Sequence, residues 1–528
     1  MIKRVIVKSY KCLRDTDVEF RPGLNIVVGD NECGKSTLLE AINLGLTGQL
    51  NRRPAGYELH PYLFNKDVTA EYVAALRDGQ TVPPPHILVE IYFEDTAPAE
   101  LKGDNNTRAE DCSGVKLRIQ LDDKFAAEYE TVIASPEKLT MVPVEYYHVE
   151  WESFALDPMH IRSTPIKPVL IDPGAITNAY AANRYVVDIA RDFLSPSQQA
   201  NLALTYRHMR ELFHDDDNVS AVNEHLRENS GEISDKALSV GLDMTAKAGW
   251  DASILPHLDE LPLSQVGKGE QNAVKIKLAL KGGEERPVLL LEEPENHLSH
   301  TNLNRLIAYI AEKVGERQMI VTTHNSFVLN KLGIDRTLMF DGTSGVRLSD
   351  LPDETRNYFL KLPGHDTLRM VLAAKTILVE GPSDELVVQK AYKQRFGRMP
   401  LEDGVEVITV NSLAFKRFLD IAKLMQLQVR VVTDNDGNLE KLRNKYEGYF
   451  DIDGLRICFN EDEAQHTLEP SLLAVNSVDT LNEVFETTFE SGEDIAAYME
   501  DRKTQSALRL FESDIEITMP QYIQDAIE

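Results

Sequence analysis

The sequence has 528 residues and is short of several features that would define its class. Its four cysteines (Cys12, Cys33, Cys112 and Cys458) form no CxxC pair, which argues against a structural zinc site or a disulfide framework. No apolar run approaches the roughly 20 residues that a membrane-spanning helix needs. The first residues, MIKRVIVKSYKCLRD, lack the continuous apolar core of a signal peptide. We therefore predict a cytoplasmic protein without a membrane partner.

Positive charge is also scarce. The chain has 56 Lys and Arg residues against 85 Asp and Glu residues, a formal net charge of −29. Because phosphate binding is normally driven by Lys and Arg, this balance argues against nucleic-acid binding. It does not exclude such binding, because a groove can be basic on an otherwise acidic protein. Nucleases that use metal ions also concentrate carboxylates where divalent cations neutralise them.

The sequence does contain a succession of α/β patterns. Residues 1–50 show strands, a glycine-rich turn and a helix, and alternating segments between about 85 and 150 predict an antiparallel sheet. The region from about 180 to 255 has helical patterns. Strand and helix patterns alternate from 260 to 350 and again after 370, which predicts two parallel α/β regions. A chain of this length is expected to form several domains.

The segment Gly29–Ser36 (GDNECGKS) fits the phosphate-loop pattern GxxxxGK[ST], between an apolar strand and a helix. Glycines let backbone N–H groups surround phosphates, and the helix N-terminus adds positive potential. We expect Lys35 to bridge the β and γ phosphates of ATP and Ser36 to bind Mg²⁺. The alternative is a chance glycine turn. The other predicted ATP contacts of this region are Asn31, Gly34 and Thr37.

A second apolar strand pattern, PVLLLEE, ends in Glu292 and Glu293. ATP hydrolysis needs one acid to hold the water shell of magnesium, predicted as Glu292, and one to polarise the attacking water, predicted as Glu293. A buried strand with exposed acids at its end is the alternative. His324 follows the strand pattern QMIVTT and is predicted to sense the γ phosphate, although a lone histidine is more often structural.

Together with the segment Gly267–Gln271 (GKGEQ), these elements resemble the ABC ATPases. The resemblance implies that Gly267, Gly269 and Glu270 contact a nucleotide held by a second subunit, so that hydrolysis needs a dimer. Gly267 departs from the family pattern, which usually has serine there. The helical segment between the two halves of the ATPase shows no sustained heptad pattern, so we predict a compact dimerisation insert rather than coiled-coil arms.

Acidic residues follow two later strand patterns. Glu380 comes after TILV, and Asp434 and Asp436 come after VRVVT. The ends of parallel strands meet at one edge of a sheet, where α/β proteins bind ligands. Carboxylates that are crowded repel one another unless cations lie between them, and Mg²⁺ or Mn²⁺ prefer oxygen ligands. Each motif could instead end its strand with solvated acids.

This arrangement resembles the Toprim domain shared by primases, type IA topoisomerases and certain nucleases. An ABC-type ATPase with a helical insert and a following Toprim domain is similar to the OLD (overcoming lysogenization defect) family of endonucleases, which includes Gabija-like and retron-effector-like members. The segment LEEPENHLSH, with His297, is particularly like that family. The metal ligands that the resemblance implies are Glu380, Asp384, Asp434, Asp436 and Glu469, and Lys503 is implied as a catalytic residue together with Glu380.

The predicted fold is α/β. Residues 1–178 and 257–367 are predicted to form the ABC-type ATPase, residues 179–256 the helical dimerisation insert, and residues 368–528 the Toprim domain. The predicted function is a DNA endonuclease that binds and hydrolyses ATP, uses Mg²⁺ or Mn²⁺, and acts as a homodimer or higher homo-oligomer. The resemblance implies defence against phage. It also implies a helicase, or a retron reverse transcriptase with its RNA–DNA, as candidate partners.

The main alternative is an ABC-type regulatory scaffold whose Toprim domain binds nucleic acid or a nucleotide without cleaving it. A primase or a topoisomerase is disfavoured, because the sequence has neither recognisable zinc-binding cysteines nor a recognisable tyrosine-bearing cleavage domain.

Overall fold

The structure is a computed structural model. It describes the chain except residues 30–31, 52, 96, 162–165, 167, 172–185, 188–190, 192–193, 229–235, 237, 245–248, 282–286, 314, 316, 362–368, 372 and 411–413. The chain divides into two compact units. Unit 1 comprises Met1–Tyr10, Glu19–Asn25 and Ser36–Thr322, and unit 2 comprises Lys11–Val18, Ile26–Lys35 and Thr323–Glu528.

The described strands, in chain order, are β1 (Ile2–Tyr10), β2 (Leu13–Glu19), β3 (Leu24–Val28), β4 (Gln49–Leu50), β5 (Arg53–Pro54), β6 (Ile87–Phe93), β7 (Lys102–Gly103), β8 (Cys112–Leu121), β9 (Tyr147–Ser153), β10 (Pro168–Ile171), β11 (His257–Leu258), β12 (Leu261–Pro262), β13 (Val288–Glu292), β14 (Gln318–Thr322), β15 (Thr337–Phe340), β16 (Gly345–Arg347), β17 (Lys375–Val379), β18 (Val405–Thr409), β19 (Val429–Val432) and β20 (Leu455–Cys458).

The described α-helices are α1 (Lys35–Thr47), α2 (Lys66–Arg77), α3 (Ala126–Ile133), α4 (Pro196–His214), α5 (Asp217–Glu228), α6 (Trp250–Ser253), α7 (Lys268–Lys281), α8 (His300–Lys313), α9 (Ser326–Leu332), α10 (Asp353–Lys361), α11 (Pro382–Phe396), α12 (Phe415–Met425), α13 (Leu439–Lys445), α14 (Leu468–Val475), α15 (Val478–Phe485), α16 (Gly492–Asp501), α17 (Lys503–Glu512) and α18 (Gln521–Ile527). None of these described helices is both long and apolar enough to cross a membrane.

Unit 1 contains an antiparallel sheet in which β1, β6, β8 and β9 are successive neighbours. On β8, Leu117 and Ile119 are fully buried. Arg118, which lies between them, and Gln120, which follows Ile119, are only half-buried. This alternation is what a strand with one face on the core requires. The antiparallel sheet predicted between about 85 and 150 is confirmed.

The parallel strands of the ATPase region are almost completely buried. In unit 1, β10, β13 and β14 are parallel neighbours, and the backbone N–H of Met319 in β14 donates to the oxygen of Gly23, just before β3. In unit 2, the remainder of β3 pairs in parallel with β15, which pairs antiparallel with β16. Apolar runs such as LNIVV and VLLLE are typical of strands covered on both faces, and the predicted parallel pairing is confirmed.

The last part of unit 2 is a parallel sheet of order β18-β17-β19-β20. Helices α11, α17 and α18 pack on one face of it through a buried cluster that includes Val388, Leu510 and Ile523. Because β17 and β19 are neighbours and run in the same direction, the residues that follow them emerge at the same edge of the sheet. The second parallel α/β region predicted after residue 370 is confirmed.

The helical region between the ATPase halves contains α4 and α5. Helix α4 begins with a capping box, in which Ser195 Oγ accepts from Gln198 N at 3.3 Å and Gln198 Oε1 accepts from Ser195 N at 2.8 Å. No described residue of α4 is buried, and Leu204, Met209 and Leu212 are exposed. Such an apolar surface is typical of one that another chain covers. Helicity is confirmed for the described residues; the dimerisation role and the segment boundaries stay predictions.

Candidate functional site

The predicted phosphate loop connects β3, which ends at Val28, to α1, which begins at Lys35. A Cβ at Gly29 would collide with the carbonyl oxygen of Phe340. Gly34 has a φ of +97°, in the left-handed region that favours glycine. The loop therefore needs glycine at both positions. Asn31 lies outside the described residues.

Lys35 is buried, and its Nζ donates to the carbonyl oxygen of Gly29 at 3.0 Å. The ammonium group is therefore folded back over the loop, where the Gly29 carbonyl accepts from it. Ser36 is exposed and Thr37 is half-buried in the first turn of α1. These positions suit a loop that wraps phosphates with N–H groups and places a lysine beside them.

In unit 1, β13 ends at Glu292, and the next residue has an unusual backbone conformation. Glu293 has a φ of 37°, which is uncommon for a residue other than glycine and is often found at functional sites. Its backbone N–H donates to Thr322 O at 2.9 Å, and Asn296 Nδ2 donates to Glu293 Oε2 at 3.0 Å. The carboxylate of the predicted catalytic Glu293 is thus oriented by Asn296.

The predicted signature residues begin helix α7. Gly269 packs so closely against the loop after β13 that a Cβ there would collide with the carbonyl oxygen of His297. Packing within its own subunit therefore requires glycine at position 269. The contact of Gly269 with a second subunit's nucleotide stays a prediction. Around Gly267, no described atom lies within 4 Å of the position of a Cβ, so serine would fit there. Glu270 is exposed. His324 belongs to unit 2, lies two residues after the end of β14, and is also exposed.

The predicted acidic residues of unit 2 meet at one edge of the sheet of order β18-β17-β19-β20. Glu380 follows β17, and its Oε1 accepts from Thr433 Oγ1 at 2.6 Å and from the Asp434 backbone N–H at 3.2 Å. These bonds join the ends of β17 and β19. Thr433 was not among the predicted site residues, although its place directly before Asp434 is a usable signal.

Two further predicted ligands belong to the segments after these strands. Asp384 lies in the first turn of α11, and its Oδ2 accepts from Gly381 N at 3.0 Å. Asp436 is exposed and has a φ of 50°. Its loop is anchored by Asn435, whose Nδ2 donates to the Asn460 and Asp462 carbonyl oxygens at 2.8 and 2.9 Å.

Glu469 and Lys503, which lie far apart in the sequence, are neighbours in the structure. Lys503 Nζ lies 3.6 Å from Glu469 Oε1, and the exposed fractions of the two side chains are 55% and 7%. Glu469 Oε2 is buried, with no hydrogen-bond partner among the described residues. The negative charge of Glu469 contributes to raising the pKa of both Asp384 and Asp434. The fold therefore brings Lys503 to the acidic residues.

The acidic residues are crowded enough to change their own protonation. Burial, together with the charge of Asp384 and other neighbouring carboxylates, raises the pKa of Asp434 to about 8. Burial also raises the pKa of Asp384 to about 6, with the charges of Glu380 and Glu469 contributing. Within the described residues, no three His, Cys, Asp or Glu side chains form a ready ligand set. One reason is that a carboxylate oxygen of Glu380 accepts a hydrogen bond from the Thr433 hydroxyl, and one of Asp384 accepts from the Gly381 backbone N–H.

These observations fit a divalent cation. Crowded carboxylates with raised pKa values and a buried Glu469 oxygen without a partner both gain from a cation placed among them. Glu380 and Asp384 would hold it through their carboxylate oxygens. The donor set consists of carboxylate oxygens, which suits Mg²⁺ or Mn²⁺.

The raised pKa values predict that cation binding depends on pH. Between the ordinary carboxyl pKa near 4 and about 8, folded Asp434 retains a proton that the unfolded chain has lost, so the metal-free protein loses stability as pH rises. A cation needs ionised ligands, so its binding strengthens over the same range. We expect Mg²⁺ to raise the melting temperature more at about pH 8.5 than at about pH 6. An equal rise at both values would contradict the raised pKa.

Comparisons with known proteins agree with this arrangement. Family models match three segments: an AAA domain over residues 4–130, an AAA domain described as a putative AbiEii toxin of a type IV TA system over residues 150–330, and the TOPRIM domain of overcoming lysogenization defect protein-like proteins over residues 371–436. The chain is 24% identical to the OLD nuclease of Thermus scotoductus over 471 residues, which is 83% of this chain and 82% of that protein. The chain is thus similar to an OLD nuclease over most of its length, and it carries ATPase-type and OLD-like TOPRIM segments in that order.

The predicted α/β architecture, in which an ATPase is followed by a Toprim domain, is thereby confirmed. Domains of these kinds generally use ATP and a divalent metal ion. The replication and repair protein RecF of Magnetococcus marinus is 38% identical over 61 residues, 12% of this chain and 16% of RecF. The SMC head domain from Thermotoga maritima covers 66% of this chain and 98% of its own, with 14% identity and a TM-score of 0.28.

Proposed function

We propose that this protein is a DNA endonuclease that requires Mg²⁺ or Mn²⁺ and that also binds and hydrolyses ATP. The observation that supports this most directly is the meeting of Glu380, Asp434, Glu469 and Lys503 at one edge of the Toprim sheet. Carboxylates alone would make a cation site. A lysine beside them adds a group that suits a phosphodiester substrate.

In the proposed reaction, Glu380, Asp384, Asp434, Asp436 and Glu469 would hold the divalent cations. A two-metal site supplies an activated water and stabilises the leaving oxygen. Thr433 keeps one oxygen of Glu380 in place through its 2.6 Å hydrogen bond. Asp434 gives up its proton when the site is loaded, because its raised pKa otherwise keeps it largely protonated near neutral pH.

Lys503 is proposed to stabilise the charge that develops on the non-bridging phosphate oxygens. We expect Lys503→Ala to lower the cleavage rate by roughly 10²-fold, the scale of losing one preorganised electrostatic group, with little change in DNA binding. Lys503→Arg should restore little of the rate, because a guanidinium does not replace a compact ammonium. The control is Arg502→Ala, which removes an exposed positive charge at the preceding position and should leave the rate unchanged. Wild-type cleavage by Lys503→Ala would make Lys503 an ordinary surface residue.

For the ATPase we propose that Lys35, Ser36 and Thr37 bind the phosphates and magnesium, with Glu292 at the magnesium water shell. Glu293, held by Asn296, is proposed to polarise the attacking water, and His324 to sense the γ phosphate. Asn31 and Gly34 complete the phosphate loop. We propose that Gly267, Gly269 and Glu270 act on the nucleotide of a second subunit, in a homodimer or higher homo-oligomer held together through the helical insert.

We also propose a role in defence against phage. The similarity to the OLD nuclease of Thermus scotoductus and the match to a model described as a putative AbiEii toxin support this role. A helicase or a retron reverse transcriptase with its RNA–DNA is the candidate partner. The genes next to this one would show whether either is encoded beside it.

The proposed activity is tested by incubating the whole protein with supercoiled, linear and single-stranded DNA in Mg²⁺, in Mn²⁺ and in a chelator, each with and without ATP. We expect nicking or cutting with either metal and none in the chelator. Metal-dependent DNA binding without any broken strand under all these conditions would instead support a regulatory scaffold.

A further inference from the structure

The turn between β17 and α11 carries two of the proposed cation ligands, Glu380 and Asp384, and it is fastened to the neighbouring strands on both sides. In the sheet, β17 lies between β18 and β19. On the β19 side, Thr433 Oγ1 donates to Glu380 Oε1 at 2.6 Å. On the β18 side, Thr409 Oγ1 donates to Glu385 Oε2 at 2.7 Å. A threonine at the end of each flanking strand therefore holds one glutamate of this turn or of the first turn of α11.

The bond from Thr409 comes from a well-anchored part of the sheet. Thr409 is the last residue of β18 and lies directly beside Val379, the last residue of β17. The backbone N–H of Val410 donates to Val379 O at 2.7 Å, so the two strands stay paired as far as this edge. The other oxygen of Glu385 accepts from Gln389 Nε2 at 3.2 Å. Because both of its oxygens accept hydrogen bonds, the Glu385 carboxylate is held in one orientation.

Glu385 directly follows Asp384 in the first turn of α11. Consecutive helical residues point in different directions, because each is rotated by about 100° from the one before. Glu385 is bound to the end of β18, whereas the charge of Asp384 acts on Asp434. The Glu385 backbone N–H also donates to Gly381 O at 3.1 Å. Fixing Glu385 therefore fixes the turn from which Asp384 reaches the other acidic residues.

The ends of helices fray, because their first N–H groups have no partner within the helix. A cation ligand in a first turn therefore gains from an anchor outside the helix. We propose that Thr409 is a positioning residue that acts through Glu385 to hold Asp384 where the acidic site binds its divalent cation. Hydrogen bonds around the ligands of a metal site orient those ligands, and losing one typically weakens metal binding by about tenfold or more. This inference rests on the proposed function of that site.

The test compares Thr409→Val with Thr376→Val by thermal unfolding of the whole protein in a Mg²⁺ titration without DNA. Valine keeps the branched shape of threonine and removes the hydroxyl. Thr376 is the matched control, because it lies near the start of β17, away from the acidic edge, and its Oγ1 donates to Met370 O at 3.4 Å. Thr409→Val should need about ten times more Mg²⁺ for the same stabilisation, and Thr376→Val the wild-type amount. Thr409→Ser keeps the hydroxyl and should restore the wild-type requirement.

Two variants of Glu385 separate positioning from direct cation binding. Glu385→Ala removes the acceptor of the Thr409 hydroxyl and should raise the Mg²⁺ requirement as Thr409→Val does; it provides the same test if Thr409→Val does not fold. Combining the two substitutions should add no further shift, because both remove the same bond. Glu385→Gln retains an oxygen that accepts from Thr409, so its Mg²⁺ requirement should stay close to that of wild type.

A wild-type Mg²⁺ requirement in folded Thr409→Val would overturn the inference, even if the metal-free protein melts lower, because the bond would then support only the fold. A Thr409→Ser protein that needs as much Mg²⁺ as Thr409→Val would also overturn it. So would loss of the Mg²⁺ response in Glu385→Gln, because Glu385 would then bind the cation itself. In these cases wild type still responds to Mg²⁺ and cleaves DNA, and the proposed function stands. If wild type shows no Mg²⁺ or Mn²⁺ response and no cleavage, the proposed function fails, and this inference fails with it.

Discussion

Asp434→Ala is expected to abolish DNA cleavage, with a loss of at least about 10³-fold, because it removes a carboxylate at the centre of the acidic residues. Four other carboxylates influence Asp434: Asp384, Glu380, Glu469 and Asp436. Without it, too few negative oxygens remain to hold divalent cations. The measurement is nicking of supercoiled DNA in Mg²⁺ and in Mn²⁺, together with the melting temperature in each metal.

The same substitution has an opposite expected effect on the metal-free protein. Because the pKa of Asp434 is raised to about 8, its ionised form is unfavourable in the folded state at high pH. Asp434→Ala should therefore raise the metal-free melting temperature at about pH 8.5, while removing stabilisation by Mg²⁺. Asp451→Ala, at an exposed position of the same sheet region, is the control and should change neither. Cleavage that persists in Asp434→Ala would place the nuclease centre elsewhere in the chain.

Lys35→Ala is expected to reduce ATP binding or hydrolysis by about 10²-fold or more, because it removes the ammonium that lies over the phosphate loop. The buried side chain also donates to Gly29 O at 3.0 Å, so its removal has a folding cost as well. Nucleotide binding and phosphate release measure the first effect, and thermal unfolding without nucleotide measures the second.

Glu380→Ala is the reciprocal control for Lys35→Ala. Glu380 binds Thr433 and Asp434 at the end of β17, whereas Lys35 belongs to the phosphate loop after β3. We expect Glu380→Ala to lose cleavage and to keep ATP hydrolysis near the wild-type rate. A folded Glu380→Ala protein that no longer hydrolyses ATP would contradict the assignment of two separate chemical sites.

Much of the fold could be predicted because local signals agreed with one another. The run LNIVV, the loop glycines and the apolar spacing after Lys35 predict a strand, a phosphate loop and a helix, and the structure has all three. Glu380 and Asp434 could be predicted as neighbours by a similar argument. Each follows a short apolar strand, and parallel neighbouring strands end at the same edge.

Contacts that depend on tertiary packing could not be predicted from local sequence patterns. Glu469 and Lys503 meet because α14 and α17 begin on the same side of the Toprim region, and no periodic pattern specifies that meeting. Family resemblance suggested both residues; spacing did not. The closeness of Gly269 to His297 likewise depends on how separate segments pack.

The bond from the Asp434 backbone N–H to Glu380 Oε1 has a consequence for spectroscopy. In the metal-free protein this amide hydrogen is bonded to a side chain that is itself a proposed cation ligand. If Glu380 used this oxygen to bind a cation, the hydrogen would lose its acceptor and would exchange with deuterated solvent sooner. In a ¹⁵N-labelled sample its resonance should move as Mg²⁺ is added, even without DNA. One amide in the chain can thus report whether the acidic site is loaded.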